Sequence, residues 1–542
     1  MEPALAARKR TTQHTPEQTP LEQARAWWGA RAQLHRYVVP SSEAPPPAAT
    51  RVLRQEGLIV EVAGRRAWIL VPSVPADRRA VFLLNYWPVV AIAIARYAPA
   101  AIVGLNAVKL HLGDFSPPHA VRVYRGASDS VYNLMLEPGF VARFRPHGGE
   151  VLHIDQITAP GGVQLPVLSA GALLATLDEP EIADGMEPIA AWLRHLVIRT
   201  PDLEVGVADN PRPQILQRLA DMAGTLGNTP LARQLDRAAR RISPKIMSPA
   251  RTGVGTRLLI PQAITAQSPG MGSPWRDEQV MRIARQEREV AAIVGAYSRP
   301  MVSRARLIAN ARAAKSYDAY HSTTMEGYRI SPEIVDAIIR GDPSPDGPKD
   351  EATLRAAMAV KGYSSAFDQV LSLAQRATPI TRTVILDLYE ALFRPSVDAG
   401  FVEPHESRRW RNRAVGLNGW RHVPPNDAKI PDLMLGLEEF AMRPDVDPIA
   451  RALIVHLEFV TVHPFVDRNG RLGRLLMNYE LLANGFPWVT VRADERIPFF
   501  QSIERAQVED DSTPFIRYLW HLIRQAVTDT SAKHHGAGSR RR

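Results

Sequence analysis

The strongest constraint on this chain is a run of twelve residues, His463-Pro464-Phe465-Val466-Asp467-Arg468-Asn469-Gly470-Arg471-Leu472-Gly473-Arg474. Pro464 fixes the backbone directly after His463, so the histidine belongs on a rigid loop. Asn469 and Gly470 favour a turn, and Leu472, Leu475, Leu476 and Tyr479 behind them repeat at helical spacing. A helix is therefore predicted to begin near Asn469, its positive end aimed at the loop. Gly470 lets backbone N–H groups come close to an anion. Arg471 and Arg474, three apart, share a face of the first turns. Asp467 stands just before the turn, where one carboxylate plus phosphate oxygens could hold magnesium. His463 can accept a proton from an attacking hydroxyl. Arginines, N–H groups and a metal ion would meet the charge that develops on a phosphoryl group. Taken alone, each residue has a commoner structural role. Together they are the equipment for holding a nucleoside triphosphate and moving part of it onto a hydroxyl.

The 542 residues exceed one ordinary core, and two or three domains are expected. With no cysteine, disulfides, thiolate zinc sites and cysteine nucleophiles are excluded, which fits a cytoplasmic location. Met1 to Pro20 is polar and does not read as a signal peptide. The greasiest run, Ala80 to Leu105, is broken by Arg96 and Pro99 and reads as buried core rather than a membrane span. A net charge of +10 favours anionic partners or a solubilising surface.

Composition divides the chain into five parts. Residues 1–48 are a flexible start with a helix near Leu21 to Tyr37, ending in a proline-rich linker. Residues 49–242 read as an α+β module. Its runs Leu58–Val62 and Ala67–Val71 flank Ala63-Gly64-Arg65-Arg66 as a hairpin with a basic tip, either an ordinary hairpin or part of a winged helix. Val121–Tyr124 and Val141–Phe144 read as strands, and Leu165–Leu174 as a strand running into a helix. This order faintly resembles AbiEi-type antitoxins and transcriptional regulators. Residues 243–275 are a Pro/Gly/Ser linker, 276–530 are helical, and 531–542 form a polar tail predicted to be disordered.

The twelve-residue run resembles the Fic family motif HPFx(D/E)GNGRxxR. His463, Pro464, Phe465, Asp467, Asn469, Gly470, Arg471 and Arg474 all match, and Arg468 stands where the family has its first glycine. The resemblance covers roughly Asp277 to Arg524 and implies an all-α core with a β-hairpin flap. It implies transfer of AMP from ATP, with Mg2+, to a Ser, Thr or Tyr hydroxyl of a target protein. Carried over by position, His463 is the base and Asp467 the metal ligand. Asn469, Gly470 and Arg471 cradle phosphates, and Arg474 grips the γ-phosphate. Arg468 would carry strain if that position needs positive φ, and its side chain could face solvent or add a phosphate contact.

Three further segments join this resemblance. Asn418-Gly419, flanked by Ala414–Leu417 and Trp420–Val423, gives a hairpin signal where the family places its target-docking flap, with Leu417, Asn418, Gly419 and Trp420 at its tip. Upstream, Arg408, Arg409, Arg411 and Arg413 could help hold anions but read first as an exposed charged face. Phe500 and Gln507 fall where the family lines its adenine site. Ser322, Glu326 and Gly327 fit the inhibitory pattern (S/T)xxxE(G/N), in which the glutamate pairs with Arg474 and blocks the γ-phosphate.

The expected function is a self-inhibited protein adenylyltransferase. Alternatives are a DNA-binding antitoxin-like regulator whose Fic half senses nucleotide, or a Fic enzyme that uses another nucleotide, transfers phosphate or removes AMP. Expected partners are a nucleotide, a target hydroxyl, DNA through the amino-terminal module and a second copy of the chain. No membrane partner is expected.

Overall fold

The computed structural model describes residues 19–33, 37–64, 66–71, 78–126, 130–146, 151, 153–171, 191–198, 203, 213–246, 273–298, 302–342, 350–401, 408–413, 415–417 and 420–539. The chain opens with α1 (Pro20–Gln33), β1 (Val38–Pro40) and α2 (Pro47–Gln55), followed by β2 (Ile59–Val62) and β3 (Ala67–Leu70). The predicted hairpin forms, with Ile59 opposite Leu70 and Val62 opposite Ala67. β1 adds antiparallel to the other edge of β3, and Ala24, Leu53, Trp68 and Leu70 bury a small core between sheet and helices.

Arg65 lies outside the described residues, and Arg66 turns inward, donating from Nη1 to Tyr97 Oη at 2.7 Å and from Nη2 to Tyr132 Oη at 2.9 Å. Ala63 N–H donates to Leu136 O at 2.7 Å. The hairpin end is docked on the next module, because two tyrosine hydroxyls and their rings offer the guanidinium a better-ordered site than water.

That module is a mixed sheet flanked by helices. It comprises α3 (Arg78–Leu84), α4 (Tyr86–Ala95), β4 (Ala100–Ile102), α5 (Gly104–His111), β5 (Ala120–Arg125), β6 (Tyr132–Glu137), β7 (Phe140–Pro146), β8 (Ile154–Ala159) and β9 (Val163–Leu168). The strand order is β6-β7-β5-β4-β9-β8, with β5/β7 and β4/β9 parallel. The apolar run from 80 to 105 is core, with Val89, Val90, Ala93 and Ile94 buried. Among the described residues no helix is long and apolar enough to cross a membrane. α6 (Pro213–Thr225) and α7 (Thr229–Ile242) close the module as a helical pair, with Asn228 capping α7 by accepting from Leu231 N–H. The helix expected beyond Gly171 and most of the linker at 243–275 lie outside the described residues.

The rest is helical: α8 (Pro274–Val294), α9 (Arg304–Ala313), α10 (Lys315–Met325), α11 (Pro332–Arg340), α12 (Glu351–Arg376), α13 (Arg382–Asp398), α14 (Ile430–Ala441), α15 (Pro448–Val462), α16 (Asn469–Ala483), α17 (Arg496–Val508) and α18 (Thr513–Ser539). α18 runs on past 531, into the stretch its polarity had marked as a disordered tail; no proline interrupts it. α15 and α16 are buried on nearly every side and form the centre of the region. Glu458 of α15 is fully buried and takes both Arg282 Nε (2.8 Å) and Nη2 (2.6 Å) from α8, so its charge is matched in place.

One close approach sets the wall behind the twelve-residue run. α12 and α13 cross at Gly362, where an added Cβ would lie 2.1 Å from Leu392 O. Pro395 sits inside α13 and has no N–H to donate to the carbonyl of Ala391, one turn back. Helix propensity alone favours alanine over glycine by about 1 kcal/mol. The backbone clash should outweigh it, as overpacking typically costs about 1–3 kcal/mol. Gly362→Ala is therefore expected to lower the thermal midpoint of the helical region. A midpoint equal to or above wild type would show that the two helices separate freely.

Candidate active site

His463 caps α15 in a left-handed conformation, φ 50° and ψ 58°, its N–H still bonded to Phe459 O. A non-glycine residue there is strained and must be held by its surroundings. Arg411 supplies the hold. Its N–H donates to Pro464 O at 2.8 Å and its Nε to His463 O at 2.8 Å, while Nη2 reaches Pro425 O at 2.5 Å. Arg411 is thus buried and structural, not part of the exposed charged face expected from its neighbours. Phe465 stacks on Tyr389 at 3.5 Å and locks the loop from below. The His463 ring places Nδ1 3.3 Å from Val460 O. Burial pushes its pKa down to about 4, so the imidazole is neutral near pH 7.

Asn469 opens α16 as expected, but its side chain serves the loop. Oδ1 accepts from Phe465 N–H at 3.0 Å and Nδ2 donates to Phe465 O at 2.9 Å. The anion-facing groups are those that follow. Arg471 is fully buried against Tyr328, and its three guanidinium nitrogens find no hydrogen-bond partner among the described residues. Its nearest counter-charge is Asp467 Oδ2 at 3.8 Å. Asp467 keeps much of its carboxylate exposed while accepting from Arg468 N–H at 2.6 Å. One exposed carboxylate beside an anion nest suits an octahedral ion that takes its other ligands from water and phosphate.

Arg474 is tied to the segment singled out as inhibitory. Its Nε donates to Ser322 Oγ at 3.0 Å and its Nη2 to Ser322 O at 3.0 Å and to Glu326 Oε1 at 2.8 Å. Nη1 has no hydrogen-bond partner among the described residues. The glutamate does more than pair. A Cβ on Gly470 would lie 2.4 Å from Glu326 Oε1, so the carboxylate rests on the first turn of α16. A carboxylate in that position takes the anion's place at the helix head. Arg496 Nε donates to Met325 O at 2.6 Å and fixes the end of α10 from which Glu326 hangs. Gly327 follows with φ 92°, a turn that a side chain would resist.

Arg468 has φ 65°, the conformation for which glycine is suited. Its side chain is buried and does not face solvent. It folds back onto α13, donating to Leu392 O and, at 2.6 Å, to Ser396 Oγ, with the guanidinium 3.8 Å from the Phe393 ring centre. Left-handed strain for such a residue is about 1–2 kcal/mol. Two charge-assisted bonds and a stacked ring are enough to offset it.

These residues meet around a cavity of about 410 Å3 that His463, Asp467, Asn469, Gly470, Arg474, Glu326, Phe500 and Gln507 all line. Leu417 and Trp420 line it from above, Trp420 edge-on to Phe500 at 5.5 Å. Asn418 and Gly419 lie outside the described residues. Trp420 N–H closes the turn on Leu417 O at 3.1 Å, and the described flanks run without a regular ladder. Gln507 Nε2 donates to Thr461 Oγ1 at 3.2 Å.

The sequence reading passed over His456 and Arg496, which also line the cavity. His456 is buried, burial pushes its pKa down to about 3, and neither ring nitrogen has a hydrogen-bond partner among the described residues. Its position two helical turns before His463, on the same face of α15, was the available signal.

The sequence pattern of the Fic/DOC family matches residues 379–481, from the start of α13 through most of α16. A protein adenylyltransferase Fic from Nematostella vectensis is 28% identical over 212 residues, 38% of this chain and 47% of that protein. The same-named protein from Drosophila willistoni is 30% identical over 204 residues, 37% of this chain and 38% of that protein. The match thus spans less than half the length of either relative. Among solved structures, a segment of Fic-1 from C. elegans aligns at 20% identity and TM-score 0.37, over 65% of this chain and 98% of that one. The histidine loop, the helix behind it and the match across both assign residues 379–481 to the Fic/DOC family.

Proposed function

We propose that this protein is an adenylyltransferase that moves AMP from ATP to a hydroxyl side chain of a target protein and restrains itself through Glu326. The observation that carries the reading is the head of α16. Arg471 and Arg474 are buried there with open donors, beside a neutral histidine, and a carboxylate of the chain itself occupies the anion position. The names of the similar adenylyltransferases support the same chemistry.

In this reading the triphosphate lies along the first turn of α16 and the base sits between Phe500, Ile503 and Trp420, which line the other part of the cavity. A magnesium ion held by Asp467 would neutralise phosphate charge and orient the leaving group. His463 takes the proton of the target hydroxyl as its oxygen bonds to the α-phosphorus; the bond from that phosphorus to the bridging oxygen breaks, and pyrophosphate departs. Arg471 and Arg474 meet charge on the departing phosphates. While Glu326 holds Arg474, the γ-phosphate cannot take its place and the productive pose is disfavoured.

Incubation with magnesium and ATP labelled on the α-phosphate tests this directly. Glu326→Gly should raise self-labelling by tenfold or more, since a charge-assisted bond to a buried arginine is worth roughly 1.5–3 kcal/mol. Adding His463→Ala should remove the label. Equal labelling by wild type and Glu326→Gly, or labelling that survives loss of His463, would reject the reading.

The half-buried base makes a second claim. The folded pKa of His463 lies below its unfolded value of about 6.5, so the fold resists protonation. Its contribution to stability is complete above pH 6.5 and is lost as pH falls from there toward 4. Imidazole nitrogen shifts in the nucleotide-free protein should therefore report a neutral ring at pH 5.5. A midpoint near 6.5 would mean an exposed ring.

A further inference from the structure

In the segment between α13 and α14, the described residues Trp420–Val423 are held by partners on two sides. Trp420 N–H bonds Leu417 O at 3.1 Å. On the catalytic side Arg411 ties the segment to His463, Pro464 and Pro425. On the other side the holding residues belong to the mixed-sheet module. Lys429, just past the flap, is ion-paired with Asp114 and donates to Ser116 Oγ at 2.9 Å. Asp114 and Lys429 are both buried. Val423 packs against the amino-terminal core. Gly139, at the turn between β6 and β7, lies under Arg421, with room for a Cβ at 3.6 Å from Arg421 Cγ.

The same flap residues reach the cavity. Arg421 N–H donates to the Glu504 carboxylate and its Nε to Glu504 Oε2 at 3.1 Å; Trp420 meets Phe500 edge-on. Glu504 and Phe500 both line the cavity from α17. A continuous path of contacts therefore runs from the mixed sheet through the flap to the wall of the nucleotide cavity.

We propose that the mixed-sheet module positions Trp420–Val423, with Lys429 and Asp114 as its positioning residues, so that this wall of the nucleotide cavity depends on a part of the chain outside residues 379–481. A buried ion pair across two modules is a poor source of stability but a specific constraint on register. An apolar pair can replace it without unfolding the chain, while losing the directional hold. The proposal goes beyond the adenylyltransferase reading and does not require transfer to occur.

The test is hydrogen exchange on the full-length Asp114→Leu/Lys429→Met double variant. Amides of Trp420 to Val423 should exchange about tenfold faster than in wild type, with amides of α16 unchanged. Magnesium-ATP affinity, measured in the Glu326→Gly background, should fall severalfold. Val423→Ser, at a half-buried position, loosens the same contact without touching a charge and should shift flap exchange in the same direction. Wild-type exchange at the flap in either folded variant would overturn the proposal. Faster flap exchange in a protein that shows no nucleotide binding at all would uphold the clamp and reject the enzymatic reading instead.

Discussion

Two buried arginines at the head of one helix need an anion. Arg471 and Arg474 are removed from water at the positive end of α16, where each would be costly without a counter-charge. Asp467 approaches the first and Glu326 bonds the second. The Glu326 carboxylate is therefore part of what makes the buried Arg474 tolerable. Removing Glu326 opens an anion position and at the same time leaves a buried cation less matched. In the proposed reading a bound triphosphate would satisfy both arginines together, which would link nucleotide affinity and resting stability through one site.

Several elements exist to keep that site in register. Pro464, Phe465 and Asn469 freeze the loop before α16, and Arg411 holds the strained carbonyl of His463. Asp318 on α10 bonds Tyr363 Oη and Thr490 Oγ1, each at 2.6 Å, and Arg496 holds the end of the same helix, so Glu326 hangs from a fixed support. Arg468 shows the same logic at a position where the family motif has glycine. Its strained backbone is secured by a side chain buried in α13, and Gly362 lets that helix come close enough to receive it.

The parts of this arrangement carried by short, local patterns were legible in the sequence. The proline after His463 and the leucine stripe gave the loop and helix, though the turn expected at Asn469-Gly470 falls one residue earlier, at Arg468, and both residues are helical; the hairpin at 59–70 followed from its alternating strands. Glu326 was found through its motif, though not its seat on Gly470, which depends on residues 144 apart in sequence coming together. Long-range partners were not legible. Arg66 looked like an outward basic tip because nothing near it in sequence reveals Tyr97 or Tyr132. Arg411 looked like surface charge because its acceptors are carbonyls of the histidine loop and of Pro425. Asp114 and Lys429, 315 residues apart, gave no sign of each other.

The central claim is that the Glu326 carboxylate and the terminal phosphate of a nucleotide compete for one place at the head of α16. Calorimetric titration of the wild-type and Glu326→Gly proteins with ATP and with ADP, both with magnesium, tests it most directly. Loss of the glutamate should tighten ATP by at least tenfold and ADP by clearly less, because only ATP places a third phosphate against Arg474. Equal gains for both nucleotides, or no gain for either, would contradict the account.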